Sequence, residues 1–274
     1  MAWIQKAAGN TETTFDGDID AYCQSKVDAY NGMDGRLSGR HCPKCRNKGY
    51  VMILDGLEEK LRECECMDAR RAQWRIEDSG LGGLISSCTL ESYQADQDWQ
   101  RGVLYGARKF LEEGIRGGAW WYIGGQVGAG KTHICTAITC ELLRRGTAAR
   151  YMRWRDESIA LKASINDDEY ASMIEPLKRT PVLYIDDFLR TGRDDKGDRR
   201  RPSPADISLA LEILDARYIC HDKITILSGE WYMDEIIEID DALGSRIYSR
   251  AKGYRYDIKR DESRNYRLKG GAGI

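Results

Sequence analysis

The sequence predicts an α/β protein: a parallel sheet with helices on both faces, built around a phosphate-binding loop and preceded by a small cysteine-bound module. Three observations carry this expectation. The stretch "GGQVGAGKTH" (124–133) contains G-x-x-x-x-G-K-[ST] between an apolar run and a helical pattern. "VLYIDD" (182–187) is a second apolar run, and it ends in two carboxylates. "HCPKC" (41–45) and "CEC" (64–66) bring together two cysteine pairs separated by eighteen residues.

In chain order the cysteines come first. Cys42, Cys45, Cys64 and Cys66 are clustered, while Cys23, Cys88, Cys135, Cys140 and Cys220 are scattered. Two close thiolates on each of two turns close a tetrahedron around Zn²⁺. The intervening "GYVMILDGLEEKLREC" reads as strand, Asp-Gly turn and strand, the hairpin of a zinc ribbon. Four cysteine ligands fill every coordination place, so such a site is structural. A module of this size rarely builds a sufficient core unaided, which makes metal the economical explanation. Cys135 and Cys140 read as small core residues.

"AWWYIG" (119–124) reads as a buried strand leading into the loop Gly125, Gln126, Val127, Gly128, Ala129, Gly130, Lys131, Thr132. Glycine lets several backbone N–H groups point into one concave nest that binds anions. Lys131 then reaches the outer phosphates, and the Thr132 hydroxyl ligates Mg²⁺. Ile134, Ala137, Ile138 and Leu142 follow at helical spacing, with Gly146 closing the helix. A helix N-terminus under the phosphates adds its partial positive charge.

"ARYMRW" (149–154) and "KITILS" (223–228) are further strand candidates, and "VLYI" reads as a buried parallel strand. Its end places Asp186 to hold the Mg²⁺ shell and Asp187 to orient the attacking water, at the sheet edge where α/β folds bind ligands. An aspartate at the second position, rather than glutamate, points to slow turnover. Residues 206–218 put Ile207, Ala210, Leu211, Leu214 and Tyr218 on one helical face. The insert 189–206 carries six bases, no aromatic, and Pro202 and Pro204 at its end. It reads equally as a loop facing single-stranded DNA or as a solvated loop. After "KITILS", a helix carries Arg246 and Arg250 four residues apart, on one face. An arginine there that reaches a neighbouring subunit's γ-phosphate would stabilise transition-state charge. "YRYDIK" and "NYRL" read as a final strand or hairpin before a glycine-rich tail.

The chain has 274 residues, is 42% hydrophobic and 31% charged, and carries a formal net charge of −2. These values fit a globular protein with a real core and exclude a membrane-spanning one, since no run approaches the ~18 apolar residues a span needs. The first twenty residues lack a basic start followed by an apolar stretch, so a cytoplasmic location is expected. Residues 246–268 hold eight Lys/Arg against three acids, a local phosphate-binding surface or a solvated face.

The ribbon spacing, the phosphate loop, "VLYIDD" and "ALGSRIYSRAKGY", in that order, resemble the DnaC/DnaI-type replicative helicase loaders, lid-less members of the AAA+ ATPases, in versions from phages and Gram-positive bacteria. The resemblance covers residues 40–268. It implies an N-terminal helicase-interacting module at 1–70, a linker at 71–100, and an AAA+ domain without a lid at 101–274. It also implies ATP, Mg²⁺ and Zn²⁺ as cofactors. The implied partners are a DnaB-type helicase, single-stranded DNA and further copies of the chain. Lys131, Thr132, Asp186 and Asp187 take the Walker roles, and Arg250 looks like the arginine finger, with Arg246 beside it. The family's polar sensor at the end of the fourth core strand is replaced by "LSGEW", leaving Ser228 or Glu230 in that place. A transposition-type ATPase and a non-catalytic nucleotide-gated adaptor are the rival readings.

Overall fold

Alternation of apolar side chains along each strand decides the architecture. In β3 (Trp121–Gly125) and the residue before it, Trp121 and Ile123 join one core cluster while Trp120 and Tyr122 join another. In β5 (Val182–Phe188), Val182 and Tyr184 face the first cluster and Leu183 and Ile185 the second. A strand that is apolar on both faces must be covered on both, which is the condition of a parallel sheet sandwiched by helices. The computed structural model describes residues 19–38, 41–82, 87–193 and 195–266, in two units, residues 1–70 and 71–274.

In the first unit, α1 (Ile19–Gly32) buries Cys23 and Val27, one turn apart. β1 (Tyr50–Asp55) and β2 (Glu58–Glu63) form the expected antiparallel hairpin. Its two-residue turn is Gly56-Leu57 rather than Asp55-Gly56, with Gly56 at φ +65°, where a side chain would be strained. The Asn31 side chain ties α1 to β1 by donating to the Met52 carbonyl and accepting from the Met52 amide, at 2.9 and 3.0 Å. α2 (Cys66–Asp78) starts on the last of the clustered cysteines.

In the second unit, α3 (Asp98–Glu112) precedes β3, and α4 (Lys131–Arg144) follows it. β4 (Ala149–Arg153), α5 (Trp154–Ala163), α6 (Glu169–Arg179), β5, α7 (Pro204–Tyr218), β6 (Ile224–Gly229), α8 (Met233–Ile239), α9 (Asp241–Arg250) and β7 (Arg255–Ile258) complete it. The five strands are parallel in the order β4-β5-β6-β3-β7. α3 and α4 cover one face through Phe110, Ile134 and Ile138; α5, α6, α7 and α9 cover the other through Leu161, Leu177, Leu209 and Ile247. α7 begins where Pro204 takes the first helical position behind a Ser203–Asp206 capping box.

Of the two readings of "YRYDIK", strand or hairpin, the strand is observed: β7 pairs in parallel with β3, and residues 262–264 form a 3₁₀ turn. Residues 267–268 and the glycine-rich tail lie outside the described residues, as do residues 1–18, on which the reading of the N-terminus rested. Within 71–100, read as a linker, Leu81 and Tyr93 are buried in the core of the second unit. Among the described residues, no helix is long and apolar enough to cross a membrane.

Candidate functional site

β3 ends in the phosphate loop, and its glycines do what their spacing implies. Gly125, Gly128 and Gly130 sit at φ +99°, +74° and +81°, conformations closed to most side chains. At Gly128 a Cβ would also stand 2.1 Å from the Asn265 side-chain oxygen. Lys131 opens α4 and is 8% exposed. Its ammonium donates to the Gly125 and Gln126 carbonyls at 2.9 and 2.7 Å. Burial pulls its pKa down to about 8, against the opposing pull of Glu230, Asp187 and Asp186.

β5 brings the carboxylates. Asp186 is buried and accepts hydrogen bonds from the Thr132 hydroxyl at 3.3 Å, the Tyr151 hydroxyl at 3.2 Å, the Ser228 hydroxyl and the Asp187 amide. Thr132 and Asp186 thus share a space where both oxygens fit one Mg²⁺. The pairing between β5 and β6 shifts between Ile185 and Phe188, and Asp187 adopts φ +54°. The irregularity falls on two consecutive carboxylates, and both act on the Lys131 ammonium. Asp187 is held by Arg190 at 2.6 Å. Ser228 and Glu230 divide the place left open between them. The Ser228 hydroxyl is committed to Asp186 and Tyr184, while Glu230 lines a 230 Å³ cavity with Gly125, Gln126 and Val127.

The two arginines of α9 are not part of this cluster. Arg250 donates to the carbonyls of Gly118, Tyr218, Cys220 and Lys223, contacts the His221 ring, and lies over Trp120. Gly118 precedes β3, so Arg250 sits at the end of that strand opposite the phosphate loop. In the single chain its guanidinium ties α9 to the strand entrances, engaged on several carbonyls at once. Arg246 is held by a single acid, Asp215, and by the Ala242 carbonyl one turn back.

In the first unit Cys42, Cys45, Cys64 and Cys66 converge, with all four sulfurs within 4.8 Å of one another. Cys42–Cys64 and Cys45–Cys66 are 3.8 and 3.5 Å apart. Zn–S bonds of ~2.3 Å in a tetrahedron space sulfurs by about 3.8 Å, so the cluster fits Zn²⁺. Arg46 and Asn47 at φ +48° and +63° curl the first pair into a knuckle, and the Gly49 amide points at the Cys45 sulfur at 3.4 Å. Burial opposes ionisation of Cys45, yet that amide and the neighbouring thiols prevail and bring it down to about 6. His41 is not part of the cluster.

Sequence reasoning missed Tyr151, Arg190, Arg193 and Arg260. The first two touch Asp186 and Asp187, and the last two line the phosphate-side cavity. Tyr151 lies within a strand that was anticipated, but only the sheet order β4-β5 shows that it abuts Asp186.

A parallel β4-β5-β6-β3-β7 sheet with a phosphate loop after β3 and two carboxylates near the end of β5 is the AAA+ P-loop nucleotide-binding fold. Residues 121–225 match the family model of the IstB-like ATP binding proteins. YqaM of Bacillus subtilis (strain 168) is 32% identical over 146 residues, covering 53% of this chain and 44% of that one. The phage-like element PBSX protein XkdC of the same strain is 28% identical over 244 residues, covering 84% and 86%. The replicative helicase loader DnaC of Escherichia coli (strain K12) is 28% identical over 122 residues, covering 44% and 50%. Among solved structures, DnaI superposes with TM-score 0.52 at 20% identity, covering 65% of this chain and 93% of that one. The DnaC helicase loader gives 0.51 at 18%, covering 65% and 98%. The chain thus spans about half the length of YqaM and of DnaC in these matches, and the structural likenesses establish the fold. Together they bear out the resemblance to a DnaC-type AAA+ loader.

Proposed function

We propose that this protein is an ATP-dependent loader that places a replicative hexameric helicase on single-stranded DNA. The observation that carries the reading is the joining of a four-sulfur module to a core where Lys131, Thr132 and Asp186 converge, in a chain similar to DnaC. Residues 1–70 grip the helicase, and Zn²⁺ on Cys42, Cys45, Cys64 and Cys66 holds that module folded. The core binds ATP on the loop 125–132, with Mg²⁺ between Thr132 and Asp186.

Hydrolysis needs a carboxylate that orients water and positive charge on the γ-phosphate. Asp187 is the carboxylate. Its pairing with Arg190 supports slow turnover by the isolated chain, since the ion pair competes with water for the same oxygens. The trans-acting charge falls to Arg246, which is the less committed of the two α9 arginines and needs only to leave Asp215. Self-association through the core completes each site, and the basic loop 189–206 tracks the DNA backbone. The work is done in the cytoplasm. A transposition-type ATPase is the rival reading, and the sulfur module speaks against it.

The test mixes purified chain, replicative helicase and circular single-stranded DNA, with ATP or without. Helicase should appear on the circles only when chain and ATP are both present, and single strands should raise ATP hydrolysis. Loading that is unaffected by the chain contradicts the proposal; loading with bound but unhydrolysed ATP identifies a nucleotide-gated adaptor.

A further inference from the structure

The cavity at the start of the phosphate loop is lined by Gly125, Gln126, Val127, Glu230 and two arginines, Arg193 and Arg260. Those arginines arrive from opposite sides. Arg193 lies in the loop after β5 and Arg260 directly after β7; in the sheet order, β6 and β3 stand between those strands. The segment bearing Arg260 is fixed to the phosphate loop by main-chain bonds. The Gln126 amide donates to the Ile258 carbonyl at 2.9 Å, and the Tyr266 amide to the Gly128 carbonyl at 3.0 Å. The Arg260 amide itself donates to the Tyr232 hydroxyl at 2.9 Å. Arg193 stands 3.9 Å from the Glu230 carboxylate, which also pairs with Arg190 at 3.4 Å.

Charge bookkeeping says what the pair is for. Asp186, Asp187 and Glu230 face Lys131 and Arg190 at the carboxyl end of the sheet, three acids against two bases. A magnesium nucleoside triphosphate adds further negative charge, and like charges brought together in a partly buried cleft are costly unless cations join them. Arginine suits the task, because its planar fork meets phosphate oxygens in pairs.

We propose that Arg193 and Arg260 form an in-chain clamp on the outermost phosphate of a bound nucleoside triphosphate, with Glu230 holding Arg193 at the cavity until that phosphate arrives. The clamp rests on the nucleotide reading above and deepens it: the chain distinguishes triphosphate from diphosphate before any neighbour is present. Glu230 is the lever, since it must yield Arg193 to the incoming phosphate.

The experiment measures ATP (as a non-hydrolysable analogue) and ADP affinity for the full chain under monomeric, dilute conditions. Arg260→Ala and Arg193→Ala should each weaken the ATP analogue about tenfold, the low end for a charge-assisted contact, while ADP changes less than about twofold. Glu230→Gln should tighten the analogue and leave ADP alone. Arg201→Ala, in the same basic insert but away from the cavity, is the control and should change neither. Unfolding midpoints are recorded alongside, and Arg260, being exposed, gives a variant that folds. If ATP and ADP fall together, or the analogue is unaffected in either arginine variant, the clamp is overturned while the nucleotide reading stands. If the unsubstituted chain binds neither nucleotide, both fall.

Discussion

The cysteine unit and the nucleotide unit hold themselves together in opposite ways. In the first, the buried cluster around the sulfurs consists of Cys42, Cys45 and Cys64, with Val51 and Cys66 packed against it. Every residue of β2 is exposed. In the second, two extensive apolar clusters lie on either face of a five-stranded sheet, and polar groups enter only at its ends. The difference teaches where each unit is vulnerable. A fold resting on four sulfurs is lost with its metal; a fold resting on a sheet sandwich is lost by opening its seams, and its site can be altered without unfolding it.

The largest effect breaks the first half of that comparison. Structural zinc supplies apparent binding free energy on the order of 10–16 kcal/mol. Chelation, or Cys42→Ser, should therefore melt the first unit and leave the second intact. The check is one zinc per chain by metal analysis, with a low-temperature unfolding step that disappears on chelation; zinc-free protein with an unchanged unfolding profile would refute it.

Next comes the seam. Arg250→Ala removes the donor shared by the carbonyls of Gly118, Tyr218, Cys220 and Lys223; Gly118 is buried, the others are half-buried, and a buried acceptor left unpaired costs about 1–3 kcal/mol. With part of the site open to water, a net loss of roughly 3 kcal/mol in the second unit is expected from those terms, read as a lowered unfolding midpoint. ATP affinity measured below that midpoint should hold. Arg246→Ala should show the reverse, with stability near the unsubstituted chain and DNA-stimulated hydrolysis reduced by about 10³-fold. Mixing Arg246→Ala with Lys131→Ala subunits should restore some activity, because certain interfaces then pair an intact Arg246 with an intact Lys131. Mixtures that co-assemble and stay inactive rule out Arg246 as the trans-acting group.

The smallest effect is a pH dependence confined to the second unit. Lys131 in the free site titrates near pH 8, well below an ordinary lysine, chiefly through burial. Bound phosphates favour the charged ammonium, so above about pH 8 binding must take up a proton. ATP affinity should be flat below that pH and fall by up to tenfold per pH unit above it. Lys131→Ala should abolish the slope, and an unsubstituted chain with a flat profile from pH 7 to 9 would show that this lysine stays charged in the free site.

How legible each unit was in the sequence follows from how local its signals are. "GGQVGAGKTH" is read from neighbours alone, because glycine freedom, the lysine and the threonine lie within one turn of loop and helix. The sulfur cluster is read from spacing, since a C-x-x-C knuckle and a hairpin return the chain to itself. The Asp186-Asp187 pair is legible at the end of its apolar run, but the left-handed backbone at Asp187 is not; that goes with the register shift between β5 and β6. The anchoring of Arg250 was not legible because its acceptors are remote: Gly118 lies 132 residues earlier, and nothing in "GSRIYSR" announces it. Arg193 and Arg260 were hidden for the same reason, since only the strand order carries the loops after β5 and β7 to one cavity.

The division of labour between the two units is the centre of the account, and one paired measurement tests it. Capture of the replicative helicase and binding of ATP are read on the same preparations of the unsubstituted chain, Cys42→Ser and Lys131→Ala. The account predicts that Cys42→Ser loses the helicase and keeps ATP. It predicts that Lys131→Ala keeps the helicase and binds ATP some ten- to hundredfold more weakly, the loss of one charge-assisted contact of about 1.5–3 kcal/mol. Undiminished helicase capture by Cys42→Ser, or undiminished ATP affinity in Lys131→Ala, would contradict it.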